Sequence, residues 1–151
     1  MIAIYKDTNT INEDSDNEAI NALEQLAKDF PEKISIEITT VMNTELESNP
    51  DKNQSRIKKA AEYIYTYEVA VVGESRLGSS VVGSDRDDIE YGDILSIIFG
   101  KKSRSGYRSN DRRDALHIHT AIRGGGRYFI TYDKKLLRRS PKSAPAPKSA
   151  P

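Results

Sequence analysis

Short runs of strand-forming residues alternate with longer stretches of helical period along this chain of 151 residues, and that alternation constrains the fold most. Residues 2–5 are a β-type apolar run stopped by the polar cluster Lys6-Asp7-Thr8-Asn9. Residues 17–30 then set Ile20, Leu23, Leu26, Ala27 and Phe30 at helical spacing, and Pro31 stops the helix. Ile34, Ile36 and Ile38 alternate with polar residues as a strand does, and a helical turn follows through residues 41–46. Residues 53–67 read as a helix with Ile57, Ala60, Ala61 and Ile64 on one side and Tyr63, Tyr65 and Tyr67 interleaved.

Residues 69–83 leave two readings open: a hairpin between two valine clusters, or a helix end followed by a long loop. Further helices are expected over 86–99, closed by Gly100, and over 111–123, closed by Gly124-Gly125-Gly126. Residues 128–131 form a buried type of strand, and Leu136-Leu137 suggests a last helical turn. The glycine triplet follows a helix instead of opening one, so it reads as a cap and tight turn and not as a phosphate cradle. Together these elements predict an α/β chain, a three-layer α/β/α sandwich with a mainly parallel central sheet. One domain over residues 1–139 is expected, with a disordered Pro/Ala/Ser/Lys tail over 140–151.

No apolar run approaches the roughly 18 residues of a membrane span, no basic, apolar leader opens the chain, and cysteine is absent. The expectation is a protein of the cytoplasm with no membrane partner. Net charge is zero, yet residues 1–54 carry twelve acids and four bases, whereas residues 101–151 carry three acids and fourteen bases. The neutrality is a cancellation of two opposed ends, and the basic end suits a polyanionic partner.

In a parallel sheet, ligands sit at the carboxyl ends of the strands. Asp7, Glu45 and Asp133 fall just beyond strand ends, and Asp114 opens the helix that leads into the last strand. Four carboxylates at one rim repel one another unless a cation neutralises them. All-oxygen ligands suit Mg²⁺ or Mn²⁺, which complete their shell with water and substrate phosphate. The chemistry that follows is metal-assisted phosphodiester hydrolysis with no covalent enzyme intermediate. Periodicity alone does not choose between Glu45 and Glu47.

The segments IYKDTNTI, TTVMNTELE and DALHIHTAIRGGGRYFITYDKKLL resemble the PIN domain family, over roughly residues 1–139. That family comprises metal-dependent nucleases and includes the ribonuclease toxins of bacterial toxin–antitoxin pairs. The resemblance implies an α/β/α sandwich and an acidic Mg²⁺ or Mn²⁺ site. Its acids would be Asp7 of DTN with Asn9 as polar neighbour, Glu45 after strand two, Asp114 of the D-A-L-H-I-x-x-A helix, and Asp133 of T-x-D with Thr131 as companion. It further implies an RNA substrate and an antitoxin protein as partner, and it admits a homodimer. Many relatives carry a further acid after the fourth, where this chain has Lys134, Lys135 and Leu136.

His117, three residues after Asp114, shares its helical face and is expected to pack and hydrogen-bond near the site, whereas His119 points elsewhere and has no expected role. Arg108, Arg112, Arg113, Lys134 and Lys135 surround the third and fourth acids in sequence and are the expected RNA-holding bases. The three tyrosines at 63, 65 and 67 read as packing residues. Two rivals stand beside the ribonuclease. One is a non-catalytic RNA- or protein-binding domain of the same fold. The other is a haloacid-dehalogenase-like phosphatase with Asp7 as nucleophile, which ranks lower because Asn9 stands where that chemistry wants a second acid.

Overall fold

A computed structural model describes residues 1–11, 17–71, 75 and 80–139. The expected tail over 140–151 lies outside the described residues. Four strands form the central sheet: β1 (Ile2–Lys6), β2 (Ile34–Thr39), β3 (Ile64–Thr66) and β6 (Gly126–Ile130), in the order β3-β2-β1-β6. Every pairing in it is parallel, with Tyr5 opposite Glu37 on one side and Phe129 on the other. The strand at its centre, β1, therefore delivers Asp7 to the middle of the carboxyl rim.

Alternation along β1 and β2 sorts their side chains to two faces. On one face lie Ala3, Tyr5 and Thr39. There α5 (Ser109–Arg123) crosses the sheet, packing Ala121 on Ala3 and Tyr5 and bonding His117 to Thr39. Behind it, α4 (Asp85–Phe99) adds Tyr91, Leu95 and Phe99 to a core shared with Ala115, Leu116 and Leu136 of α6 (Lys134–Arg139). On the other face, Ile38 joins Met42 and Leu46 of α2 (Val41–Leu46), Ala60 of α3 (Gln54–Ala60) and Ile11. Lys6 also points that way, where Glu24 of α1 (Glu18–Asp29) holds its ammonium at 2.6 Å and the Tyr63 hydroxyl accepts from it at 3.1 Å. Helices thus cover both faces of a parallel sheet, the expected α/β/α arrangement.

Three expectations need correction. The helix expected over 53–67 ends at Ala60, and residues 64–66 are the edge strand β3. Alternating Tyr63, Tyr65 and Tyr67 with Ile64 and Thr66 between them is a period of two built from strand formers, and pairing with β2 satisfies its backbone. The two valine clusters do not make a hairpin: β4 (Glu68–Val69) and β5 (Ser80–Val81) pair in parallel, whereas a hairpin pairs antiparallel. Finally, α5 begins at Ser109, so Asp114 stands in its second turn instead of opening it; the first-turn acid is Asp111.

The glycine triplet carries a packing role besides the turn. Gly125 takes a positive φ of 79°. A Cβ on Gly126 would lie 2.6 Å from the Tyr5 ring and 2.7 Å from the Ala121 carbonyl oxygen, so only glycine lets β6 close onto β1 there. Among the described residues, no helix is long and apolar enough to cross a membrane.

Candidate active site

Asp7, Glu45, Asp114 and Asp133 line one open pocket of about 270 Å³ at the carboxyl ends of β1 and β6. Asp7 is buried and fully engaged. Its amide donates to the Ile130 carbonyl at 2.9 Å, extending the ladder by one bond. One carboxylate oxygen accepts from the Thr8 amide at 2.7 Å, and the other accepts from the Asn9 amide group at 2.8 Å and the Thr131 hydroxyl at 2.6 Å. Thr131 in turn accepts from the Asp133 amide at 2.9 Å, tying the first acid to the segment that carries the fourth. Asn9 is therefore an orienting partner of Asp7, as expected, while Thr131, expected beside Asp133, bonds both acids.

Glu45 lies in α2 with its Oε2 accepting a hydrogen bond from the Thr8 hydroxyl, and the His117 Nε2 stands 3.6 Å from the same oxygen. Glu47, the competing acid, is exposed beyond the helix end and does not line the pocket. His117 is buried, and its Nδ1 shares a 2.6 Å hydrogen bond with the Thr39 hydroxyl. Asp133 uses Oδ1 to accept from the amides of Lys135 at 2.6 Å and Leu136 at 3.3 Å, starting α6 while facing the pocket.

The electrostatics of the four acids differ. Burial, followed by the charges of Asp7, Asp133 and Glu45, pushes the Asp114 carboxyl up to about 7. Burial also raises Asp7, against the opposing pull of His117 and the Thr131 and Thr8 hydrogen bonds. For Glu45, burial works upward, but His117, Thr8 and Arg113 outweigh it and hold the carboxyl below its ordinary value. Burial works downward on His117, but Glu45, Asp7 and Asp114 raise it overall. Asp114 therefore carries the largest upward shift of the four acids, with its carboxyl titrating near neutrality.

All four acids offer only carboxylate oxygens to the pocket. Among the described residues, no three His, Cys, Asp or Glu side chains close tightly enough to hold a metal ion directly. Mg²⁺ and Mn²⁺ suit such an open rim, since they keep several waters and use only one or two carboxylates with substrate phosphate.

The expected RNA-holding bases fall into two groups. Arg108 and Lys134 are exposed. By contrast, Arg112 donates to the Tyr107 carbonyl at 2.7 Å, Arg113 is half-buried and acts on Glu45, and Lys135 pairs with the buried Asp111 and lies over the Phe99 ring. Sequence reading missed three polar pocket residues, Thr8, Asn53 and Arg56, and the apolar Leu46. Arg56 of α3 donates to the Ile11 carbonyl at 2.9 Å and the Thr8 carbonyl at 2.8 Å, clamping the turn after Asp7. No carboxylate pairs with it among the described residues. Its contacts reach across 45 and 48 residues to backbone oxygens, which leave no mark in the sequence.

A second pocket, of about 260 Å³, lies among β4, β5, α4 and α5 beside His119, which is buried between Asp87 and Glu90 at 3.8 and 3.9 Å. Its walls are mainly valine, alanine, Tyr91 and the start of α4, and the four predicted acids are all in the other pocket. Comparison of the chain with protein-family models, curated proteins and solved structures finds no match.

Proposed function

We propose that this chain is a Mg²⁺- or Mn²⁺-dependent endoribonuclease that hydrolyses RNA phosphodiester bonds at the carboxylate pocket. The observation that carries the reading is the convergence of Asp7, Glu45, Asp114 and Asp133 on one open pocket where burial, with the charges of the other three acids, drives Asp114 up to about 7. A site whose burial and like charges raise a carboxyl's pKa to near neutrality is one that gains from a bound cation. When bound there, the cation supplies Lewis-acid polarisation of a phosphoryl oxygen and a water of lowered pKa as nucleophile.

The residues have distinct tasks in this reading. Asp7 is the fixed ligand, aimed by Asn9, Thr131 and the Thr8 amide. Asp114 and Asp133 are the further ligands, direct or through water. Glu45, kept ionised by His117 and Thr8, ligates or orients the attacking water. Arg108 and Lys134 hold the RNA backbone. In the toxin–antitoxin setting that the PIN resemblance implies, an antitoxin protein restrains the enzyme in the cytoplasm.

The phosphatase alternative loses ground in the structure. Asn9 gives its amide group to Asp7 and Thr131, and its carbonyl accepts from the Tyr132 amide at 2.9 Å, so that side chain is an anchor with no acid to offer. The test is product chemistry on labelled RNA with Mn²⁺ and with EDTA. Cleavage that needs the metal and leaves no 2′,3′-cyclic phosphate supports direct water attack. Cleavage in EDTA, or cyclic phosphate ends, contradicts it.

A further inference from the structure

We propose that Tyr132 is a stacking platform that holds a nucleobase of single-stranded RNA beside the carboxylate pocket. The inference rests on the ribonuclease reading and adds the form of RNA the site accepts. Tyr132 stands between Thr131 and Asp133, both members of the carboxylate network, and consecutive Cα atoms lie only about 3.8 Å apart. The residue is 46% exposed, so it fills no core position.

Both ends of the residue are nonetheless fixed. The backbone amide donates to the Asn9 carbonyl oxygen at 2.9 Å, and the hydroxyl accepts from the Asn17 amide group at 2.6 Å. Asn17 is itself fastened, because its side-chain oxygen caps α1 by accepting from the Ala19 and Ile20 amides at 3.1 and 3.2 Å. An exposed aromatic held at both ends loses little freedom when a base lands on it. Tyr67 and Tyr128 are exposed too, but neither is flanked by residues of the pocket network.

Base–aromatic stacking tolerates any sequence, because every base offers a π-face, and it requires that the base leave its duplex stack. The site should therefore prefer unpaired RNA and show little base preference at this contact. The position also complements the basic residues: Lys134, two positions on, is exposed and placed for the phosphate backbone.

The chain contains no tryptophan, so Tyr132→Trp introduces a single reporter. In an Asp7→Asn background, which keeps the RNA intact, that protein is titrated with ten-residue oligoadenylate and with the oligoadenylate–oligouridylate duplex in Mg²⁺. Tryptophan emission should fall with the single strand and saturate where anisotropy of a labelled strand saturates, and it should stay level with the duplex. In the same background, Tyr132→Ala should weaken single-strand binding about 5- to 100-fold, and Tyr132→Phe, which keeps the ring, by less than about 3-fold. RNA that binds without quenching, or Tyr132→Ala binding as tightly as the Tyr132 protein, overturns the platform while cleavage by the parent leaves the ribonuclease reading standing. RNA that neither binds nor is cleaved overturns both.

Discussion

Asp114→Asn should make the metal-free protein more stable at pH 8, and by less than half as much at pH 5. Burial and the charges of Asp7, Asp133 and Glu45 raise the Asp114 carboxyl from 3.8 to about 7 in the folded chain. Between those values the native state holds a proton that the unfolded state has released. The stability this provides is complete below about 3.8, declines as pH rises from there, and is gone above about 7. A shift of about three pH units corresponds to about 4 kcal/mol, and solvent screening of a partly exposed carboxyl reduces this to about 2 kcal/mol. The asparagine has no charge to force into the pocket, so the variant should gain that amount above pH 7. For a chain of this size the gain is about 4–8 °C in Tm. Thermal melts in EDTA at pH 5 and pH 8 measure it directly. The parent should lose stability between the two and recover it at pH 8 when Mn²⁺ is added, whereas the variant should lose less and recover less. A variant that is destabilised at pH 8, or one that loses stability with pH as steeply as the parent, would refute the carboxylate-repulsion account.

Other perturbations test separate parts. Gly126→Ala should destabilise by about 1–3 kcal/mol in chemical denaturation, because the new methyl meets the Tyr5 ring and the Ala121 carbonyl and neither can retreat. Lys134→Ala should lower the slope of log affinity against log salt for single-stranded RNA by about 0.7, with Tm unchanged, since the residue is exposed. Lys135→Ala should instead cost about 1–2 kcal/mol of stability by leaving the buried Asp111 without its ammonium partner.

The parallel core of the fold was readable because its strands and helices have clean periods. Ile34, Ile36 and Ile38 alternate, and the apolar residues of α1 and α5 recur at helical spacing. Strand β3 was hidden because Ile57, Ala60, Ala61 and Ile64 continue a helical stripe into residues that pair as a strand, and β2 beside them decides the outcome. Asp7 and Asp133 were legible because strand ends are visible in sequence, whereas Glu45 over Glu47 and Asp114 were picked out by the PIN resemblance, and the fold brings all four to one pocket. What the bases do was not legible. Lys135 reads as one of a run of free cations until the fold brings Asp111 to it, and Arg56 reads as a surface residue until the loop after Asp7 offers it two carbonyls. Such contacts depend on tertiary proximity, and local periodicity does not record them.

The central claim is that the four carboxylates act as one hydrolytic site on RNA. Its most direct measurement is cleavage of end-labelled single-stranded RNA in Mn²⁺ by the parent and Asp7→Asn proteins side by side, with the fold of each confirmed by circular dichroism. The account predicts cleavage by the parent and none by the folded variant; equal cleavage by both, or none by the parent, would contradict it.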